Sequence, residues 1–372
     1  MVLEHISIVD YRNIGAADLS FSPGVNCFVG ANGMGKTNLL DAVYYLSFCK
    51  SSMGAQDAAN VRHGAGFFLI EGDYRQEDGS AARVTCAVKP GSPKRLKWDG
   101  KLCRRLAEHV GRIPLVMVAP SDSALVTGGS EERRRFMDAV ISQHDAVYLE
   151  SLLRYGKALQ QRNALMRREE EPDWGLVDVL EEMMAREAEI IFDRRRVFVE
   201  RFRPVFQELY ARLCNSGAET VDLEYASHGF RGDLRVQLRD GRLKERIVGY
   251  TLHGVHKDEL QLLFNGFPVK REGSQGQMKT YFIAMKLAQY LYLKEQGDHR
   301  TPVLLMDDIF DKLDAGRVAR IIDYVSGSTF GQLFITDTNR SHLDRILGAA
   351  ACDYRLFVVA DGKVEGDGAK KV

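Results

Sequence analysis

Residues 30–37 read Gly30-Ala31-Asn32-Gly33-Met34-Gly35-Lys36-Thr37 and fit the pattern G-x-x-x-x-G-K-[ST]. Such a loop serves one kind of chemistry. Its glycines let the backbone curl until successive N–H groups point at phosphate oxygens, and a helix that follows adds a favourable dipole. Lys36 is placed to reach the outer phosphates, and the Thr37 hydroxyl to ligate Mg²⁺. The plain alternative is an ordinary glycine-rich turn between a strand and a helix. Gly35, Lys36 and Thr37 together in register argue against it.

A phosphate loop alone does not say what is done to the phosphate. Residues 303–308, Val303-Leu304-Leu305-Met306-Asp307-Asp308, supply the second half of a site. An apolar run of this length suits a central parallel strand covered on both faces. Carboxylates at its C-terminal end stand where open α/β sheets bind ligands. Asp307 would hold Mg²⁺ through water, and Asp308 would orient or deprotonate an attacking water. A strand followed by a solvated acidic turn is the competing reading, and the phosphate loop weighs against it.

The elements needed to position these groups are legible. Val25–Val29 is a short apolar strand before the loop, and residues 38–46 after it have helical spacing. Residues 1–118 are otherwise strand-rich. From about 121 the chain turns to Leu, Ala, Glu and Arg at helical spacing over 131–141, 146–166, 176–201 and 202–214, with Pro172 and Pro204 expected to break or start helices. Residues 220–270 read as mixed strand and turn, with Asn265-Gly266 as a hairpin signal. After that, helix and strand alternate: helices 277–296, 314–326 and 341–348, strands 303–307, 332–336 and 354–359. That alternation predicts parallel strands joined by helical crossovers. The expected fold is α/β, an ABC-type P-loop ATPase lobe with a mixed sheet built from residues 1–120 and 220–372. A helical lobe, 121–219, is inserted in it.

Composition bounds the reading. The 372 residues carry 51 basic and 51 acidic side chains, so any nucleic-acid contact must come from a local patch. Six scattered cysteines without C-x-x-C or zinc spacing favour a reducing, cytoplasmic setting. The chain starts without a signal-peptide pattern, and no stretch is apolar enough for a membrane span. Between Lys89 and Arg105 lies a basic stripe of Lys89, Lys94, Arg95, Lys97, Lys101, Arg104 and Arg105, with turn residues Gly91, Pro93 and Gly100. It could neutralise DNA phosphates without reading sequence, or be a solvated hairpin. Arg133–Arg135 and Arg194–Arg196 are flanked by acids and read as salt-bridged helix faces. His253 and His256 have no further ligand nearby to complete a metal set, so turn or interface duty is expected of them.

Ser274-Gln275-Gly276-Gln277 precedes a helix. Taken alone, it is a helix cap. Between the phosphate loop and the Asp-Asp strand, it resembles the signature loop of ABC-type ATPases, which binds the γ-phosphate of a nucleotide held by a second protomer. Small residues and a helix N-terminus suit an anion. The resemblance sharpens over nearly the whole chain. The residues 11–13 (Tyr-Arg-Asn), 30–40, 131–138 (EERRRFMD), 254–259 (GVHKDE), 273–277 (GSQGQ) and 305–314 (LMDDIFDKLD) are similar, in order, to the RecF family of recombination-repair ATPases. Departures are conservative: Val255 and Lys257 stand for Pro and Arg, Met278 and Lys279 for Gln and Arg, Asp311 and Lys312 for Ser and Glu. No Q-loop glutamine occurs over Met117–Asp122, and Thr336-Asp337-Thr338 stands where transporter ATPases carry a switch histidine.

The resemblance implies that Arg12, Asn13 and Asn38 join the loop in binding ATP, with Mg²⁺ as cofactor, and that two chains close head to tail over two ATP molecules. It implies weak, DNA-stimulated hydrolysis acting as a switch, and binding to double-stranded and gapped DNA. It also implies work with RecR and RecO in loading RecA at single-strand gaps and stalled forks during replication and the response to DNA damage. Two rivals are the nucleotide-binding subunit of an ABC transporter and a structural SMC-like clamp. The first lacks membrane helices, and the second needs longer heptad arms than this helical block offers. A GTPase is disfavoured because no Asn-Lys-x-Asp motif occurs.

Overall fold

The computed structural model describes residues 1–214, 219–297, 300–310, 313–327, 329–349 and 353–370. Asp311, Lys312 and Cys352 therefore lie outside the described residues. The chain forms two compact units, Met1–Asp122 with Lys279–Val372, and Ser123–Met278.

The first unit begins with β1 (Val2–Tyr11), β2 (Ile14–Ser20) and β3 (Val25–Val29), then α1 (Lys36–Phe48), β4 (Phe68–Arg75), β5 (Ala81–Val88), β6 (Arg95–Trp98), β7 (Lys101–Leu102) and β8 (Leu115–Val118). The second unit holds α2 (Ala124–Thr127), α3 (Ser130–Ile141), α4 (Ala146–Met166), α5 (Trp174–Cys214), β9 (Val221–Ala226), α6 (Leu234–Val248), β10 (Glu259–Phe264), β11 (Phe267–Pro268) and α7 (Val269–Glu272). Then come α8 (Gln275–Gln296), β12 (Val303–Asp307), α9 (Ala315–Val325), β13 (Leu333–Asp337), α10 (Arg340–Ala349), β14 (Tyr354–Ala360) and β15 (Lys363–Lys370).

Two sheets make the first unit. In one the order is β15-β14-β3-β13-β12-β8, parallel except for the edge strand β15. Every residue of β3, β8, β12 and β13 is buried, as expected of strands covered on both faces. The other sheet is antiparallel, β2-β1-β4-β5-β6-β7, and its strands alternate buried and exposed residues because one face meets water. Phe21, Phe28, Phe334 and Phe357 pack as an aromatic cluster in the shared core. Buried Gln332 ties β1 to the start of β13: its carboxamide accepts from Leu3 N–H at 2.8 Å and donates to Leu3 O at 2.7 Å.

The second unit differs from expectation in three ways. Helix α5 runs unbroken through Pro204. Pro204 and Glu200, whose carbonyl loses its N–H partner, both lie on the exposed face of the helix, where a freed acceptor costs less than in the core. Residues 234–248, read as strand and turn, form helix α6, capped by Asp233 and ended by left-handed Gly249. Their charge density hides a buried row of only Leu238, Gly241 and Glu245. Residues 220–278, grouped in the sequence reading with the ATPase lobe, belong to the second unit, where β9, β10 and β11 form a separate sheet. The Asn265-Gly266 hairpin is present, with φ of 50° and 81°.

Candidate functional site

β3 delivers the chain to residues 30–35, and α1 begins at Lys36. Gly33 and Gly35 have φ of 80° and 112°, where side chains are strained. Gly35 caps α1 through backbone alone; no side chain competes for the helix's first N–H groups. Gly30 is pressed against β14: a Cβ there would lie 2.1 Å from Val359 O. Ala31, Asn32 and Gly33 are exposed. Lys36 is buried, its Nζ donating to Gly30 O at 2.6 Å and Ala31 O at 3.0 Å, so the ammonium sits inside the curl of the loop.

β13 lies between β3 and β12, so the loop and the carboxylates open from the same end of the sheet, one strand apart. Across that gap Thr37 Oγ1 donates to Asp307 Oδ2 at 2.8 Å. Thr336, paired with Asp307 in the ladder, donates to Asp307 Oδ1 at 2.7 Å and accepts the Asp308 N–H at 2.9 Å. Burial raises the Asp307 carboxyl above its ordinary value, and the hydroxyl bonds from Thr336 and Thr37 oppose that rise. Asp308 leaves the strand with φ of 46°. The oxygen-rich set of Thr37, Asp307 and Asp308 fits a hard divalent cation such as Mg²⁺. Because Thr37 donates its proton to Asp307, its lone pairs are left for a ligand.

Arg12 and Asn13 form the turn between β1 and β2. Arg12 Nη2 donates to Ser51 Oγ at 2.9 Å and its Nε lies 3.3 Å from Asp41. Fully buried Asp41 also accepts from Tyr11 at 2.6 Å, Ser51 at 2.8 Å and Ser52 at 2.7 Å. Asn13 accepts from Asn38 Nδ2 at 2.7 Å and abuts Gly35. Arg12 thus braces α1, and Asn13 braces both the loop and α1. Sequence reading missed a second brace, the turn between β14 and β15. There Gly362 N–H donates to Met34 O at 3.0 Å, and a Cβ on Gly362 would lie 2.2 Å from Asn13 O. Asp361-Gly362 was its only signal, a turn dipeptide.

Ser274 to Gln277 lie in the second unit as a reciprocal cap on α8. Ser274 N–H donates to Gln277 Oε1 at 2.8 Å, Gln277 N–H to Ser274 Oγ at 3.3 Å, and Gln277 Nε2 to Glu219 at 2.8 Å. Ser274 and Gln275 are exposed, and Gly276 is half-buried.

The basic stripe falls on β6, β7 and their turns. Arg95 and Lys97 point outward on either side of buried Leu96, and Lys89 and Lys101 are exposed too. Lys94 corrects the sequence reading. Its side chain is 12% exposed, ion-paired to Asp57 at 2.8 Å and bonded to Tyr45 OH and Cys49 O, so it anchors the hairpin to α1 rather than facing a partner. Of the arginine runs, Arg135 makes the expected helix-face pair with Glu131 at 2.5 Å, but Arg133 reaches Glu259 at 2.6 Å, and Arg195 is buried, paired with Asp138 at 2.8 Å and Asp258 at 2.7 Å across elements rather than along its own helix. Both ring nitrogens of His256 are engaged, with Tyr155 OH at 2.7 Å and Thr251 O at 3.0 Å. Among the described residues no helix is long and apolar enough to cross a membrane.

Residues 5–111 match a family model described as an AAA domain. The chain is 52% identical to the DNA replication and repair protein RecF of Phocaeicola vulgatus over 98% of each chain. It is 51% identical to the RecF of Bacteroides thetaiotaomicron over 100% of each. The structure of the recombination mediator protein RecF-ATP of the RecFOR pathway superposes with a TM-score of 0.88 at 27% identity, covering 98% of this chain and 97% of that one. An Smc head bound to the C-winged helix domain of ScpA matches at 0.59 and 15% identity, covering 100% of this chain and 98% of that one, which shows a shared ABC-like ATPase head fold. The chain belongs to the RecF family of DNA replication and repair proteins.

Proposed function

We propose that this RecF-family chain is an ATP-driven clamp on DNA. ATP is bound by residues 30–38, with Lys36 leaving the Gly30 and Ala31 carbonyls for the outer phosphates and the N-terminus of α1 facing the same charge. Mg²⁺, when bound, would neutralise charge on the phosphates, held by Thr37 and, through water, by Asp307. Asp308 orients the attacking water and accepts its proton. Ser274–Gln277 contacts the nucleotide of a second copy, so ATP closes a homodimer, and slow hydrolysis, stimulated by DNA, reopens it. The closed dimer holds double-stranded and gapped DNA along Lys89, Arg95, Lys97 and Lys101. With RecR and RecO, in the cytoplasm, it helps load RecA at gaps and stalled forks.

The observation that carries this reading is the 2.8 Å bond from Thr37 to Asp307, which joins a phosphate loop to an acidic strand end from the far side of the sequence. Sedimentation and DNA-binding assays with and without ATP and Mg²⁺ test it. ATP should produce the dimer and tighten DNA binding together. A chain that stays monomeric with ATP, or binds DNA equally well without it, would overturn the clamp.

A further inference from the structure

We propose that Thr336 is a positioning residue that sets both carboxylates of the nucleotide site with one hydroxyl. The inference rests on the nucleotide reading above. Thr336 is fully buried, at the end of β13 and directly opposite Asp307 in the ladder. A hydroxyl has one proton and two lone pairs. Here the proton goes to Asp307 Oδ1 at 2.7 Å, and a lone pair receives the Asp308 N–H at 2.9 Å. Thr37 occupies the other oxygen of Asp307 at 2.8 Å. Asp307 is therefore gripped from both sides, by the loop and by the neighbouring strand, and its rotation is fixed.

The second bond acts on the backbone. Asp308 adopts φ of 46°, a region that L-residues enter at some expense of energy. Its N–H is tied to the adjacent strand, so the turn that aims the Asp308 side chain is held by the same oxygen that aims Asp307. Of the two, the bond to the Asp307 carboxylate is the charge-assisted and stronger one, and buried groups that lose such partners find no water in exchange. Valine has nearly the same shape as threonine and neither bond. Serine keeps both.

Thr336→Val and Thr336→Ser test the assignment, read by fluorescent-nucleotide binding over a Mg²⁺ titration and by steady-state hydrolysis. In Thr336→Val the half-saturating Mg²⁺ concentration should rise about 10-fold and kcat should fall about 10- to 100-fold, while KM for ATP stays within about threefold. Thr336→Ser should return both within about threefold of wild type. Thr336→Ala carries the same expectation as valine if valine disturbs the strand. A valine variant with wild-type Mg²⁺ dependence and turnover overturns the proposal. So do valine and serine variants that are equally impaired, since packing rather than the hydroxyl would then matter. Failure of the wild-type chain to bind nucleotide would instead strike the underlying ATP reading, and it would show before any variant is compared.

Discussion

Asp308 holds the outermost position of the acidic strand end, half-buried where Asp307 is buried. That difference suits two roles: the inner carboxylate fixes Thr37, and the outer one meets water. If Asp308 accepts the water proton as proposed, Asp308→Asn should retain ATP binding and lower turnover by about 100-fold. It should also collect as an ATP-bound dimer on sedimentation. Unchanged hydrolysis would remove Asp308 from the chemistry. His256 gives a residue-scale prediction of another kind. Burial pushes its ring down to about 4, while the Thr251 carbonyl opposes the drop and Lys257, Arg134 and His228 add to it. Its folded-state value is depressed, so below the ordinary value the unfolded chain takes up the proton more readily. The neutral ring's contribution is whole above pH 6.5 and fades as pH falls towards 4. On the order of 2 kcal/mol should be lost between pH 7.5 and pH 5. Urea melts at pH 7.5 and pH 5 would check it. If His256→Gln steepens the pH dependence or leaves it unaltered, another group is responsible.

At the scale of elements, the hairpin of β6 and β7 separates structure from contact. Lys94 locks it to α1 through Asp57, whereas Arg95, Lys97 and Lys101 are presented outward. Replacing those three with Glu should weaken duplex binding equally for all sequences and leave ATP affinity intact. Each phosphate left without its cation should flatten the salt slope by about 0.9. Lys94→Ala should instead lower stability by about 1–3 kcal/mol, as Asp57 loses its cation and the Cys49 carbonyl its donor, with DNA affinity per folded molecule kept. Salt titrations of both variants decide the matter: a wild-type slope in the triple variant places DNA elsewhere.

For the whole molecule, the reach of the signature loop is the central expectation. Ser274 caps α8 with its own chain, yet it remains accessible at the surface. Ser274→Arg should leave ATP binding by each monomer unchanged, since residues 30–37 are untouched. The bulky charge should prevent closure, so dimerisation, hydrolysis and ATP-dependent DNA retention should fall together by about 10-fold or more. Normal dimerisation by this variant would remove the trans-acting loop. Lost ATP binding by the monomer would place Ser274 in the same-chain pocket.

Much of this was determined by sequence alone. Gly30–Thr37 and Val303–Asp308 are legible as a strand–loop–helix and an acidic strand end because the chemistry proposed for them demands particular residues at short, contiguous spacing, and the fold brings the two together. The same holds for buried parallel strands, whose apolar runs are continuous, and for the Asn265-Gly266 hairpin, whose φ values only certain residues accept. Tertiary structure decided what depends on neighbours distant in the chain. Lys94 is a surface lysine by composition and an anchor by contact, because Asp57 and Tyr45 meet it only once the sheet has formed. Helix α6 exists because a narrow buried row finds α5, and α5 passes Pro204 on its exposed face, away from the core. Thr336 is an ordinary strand residue in sequence; the register of β12 against β13 sets its hydroxyl between two carboxylate-bearing residues, and register is a property of the folded sheet.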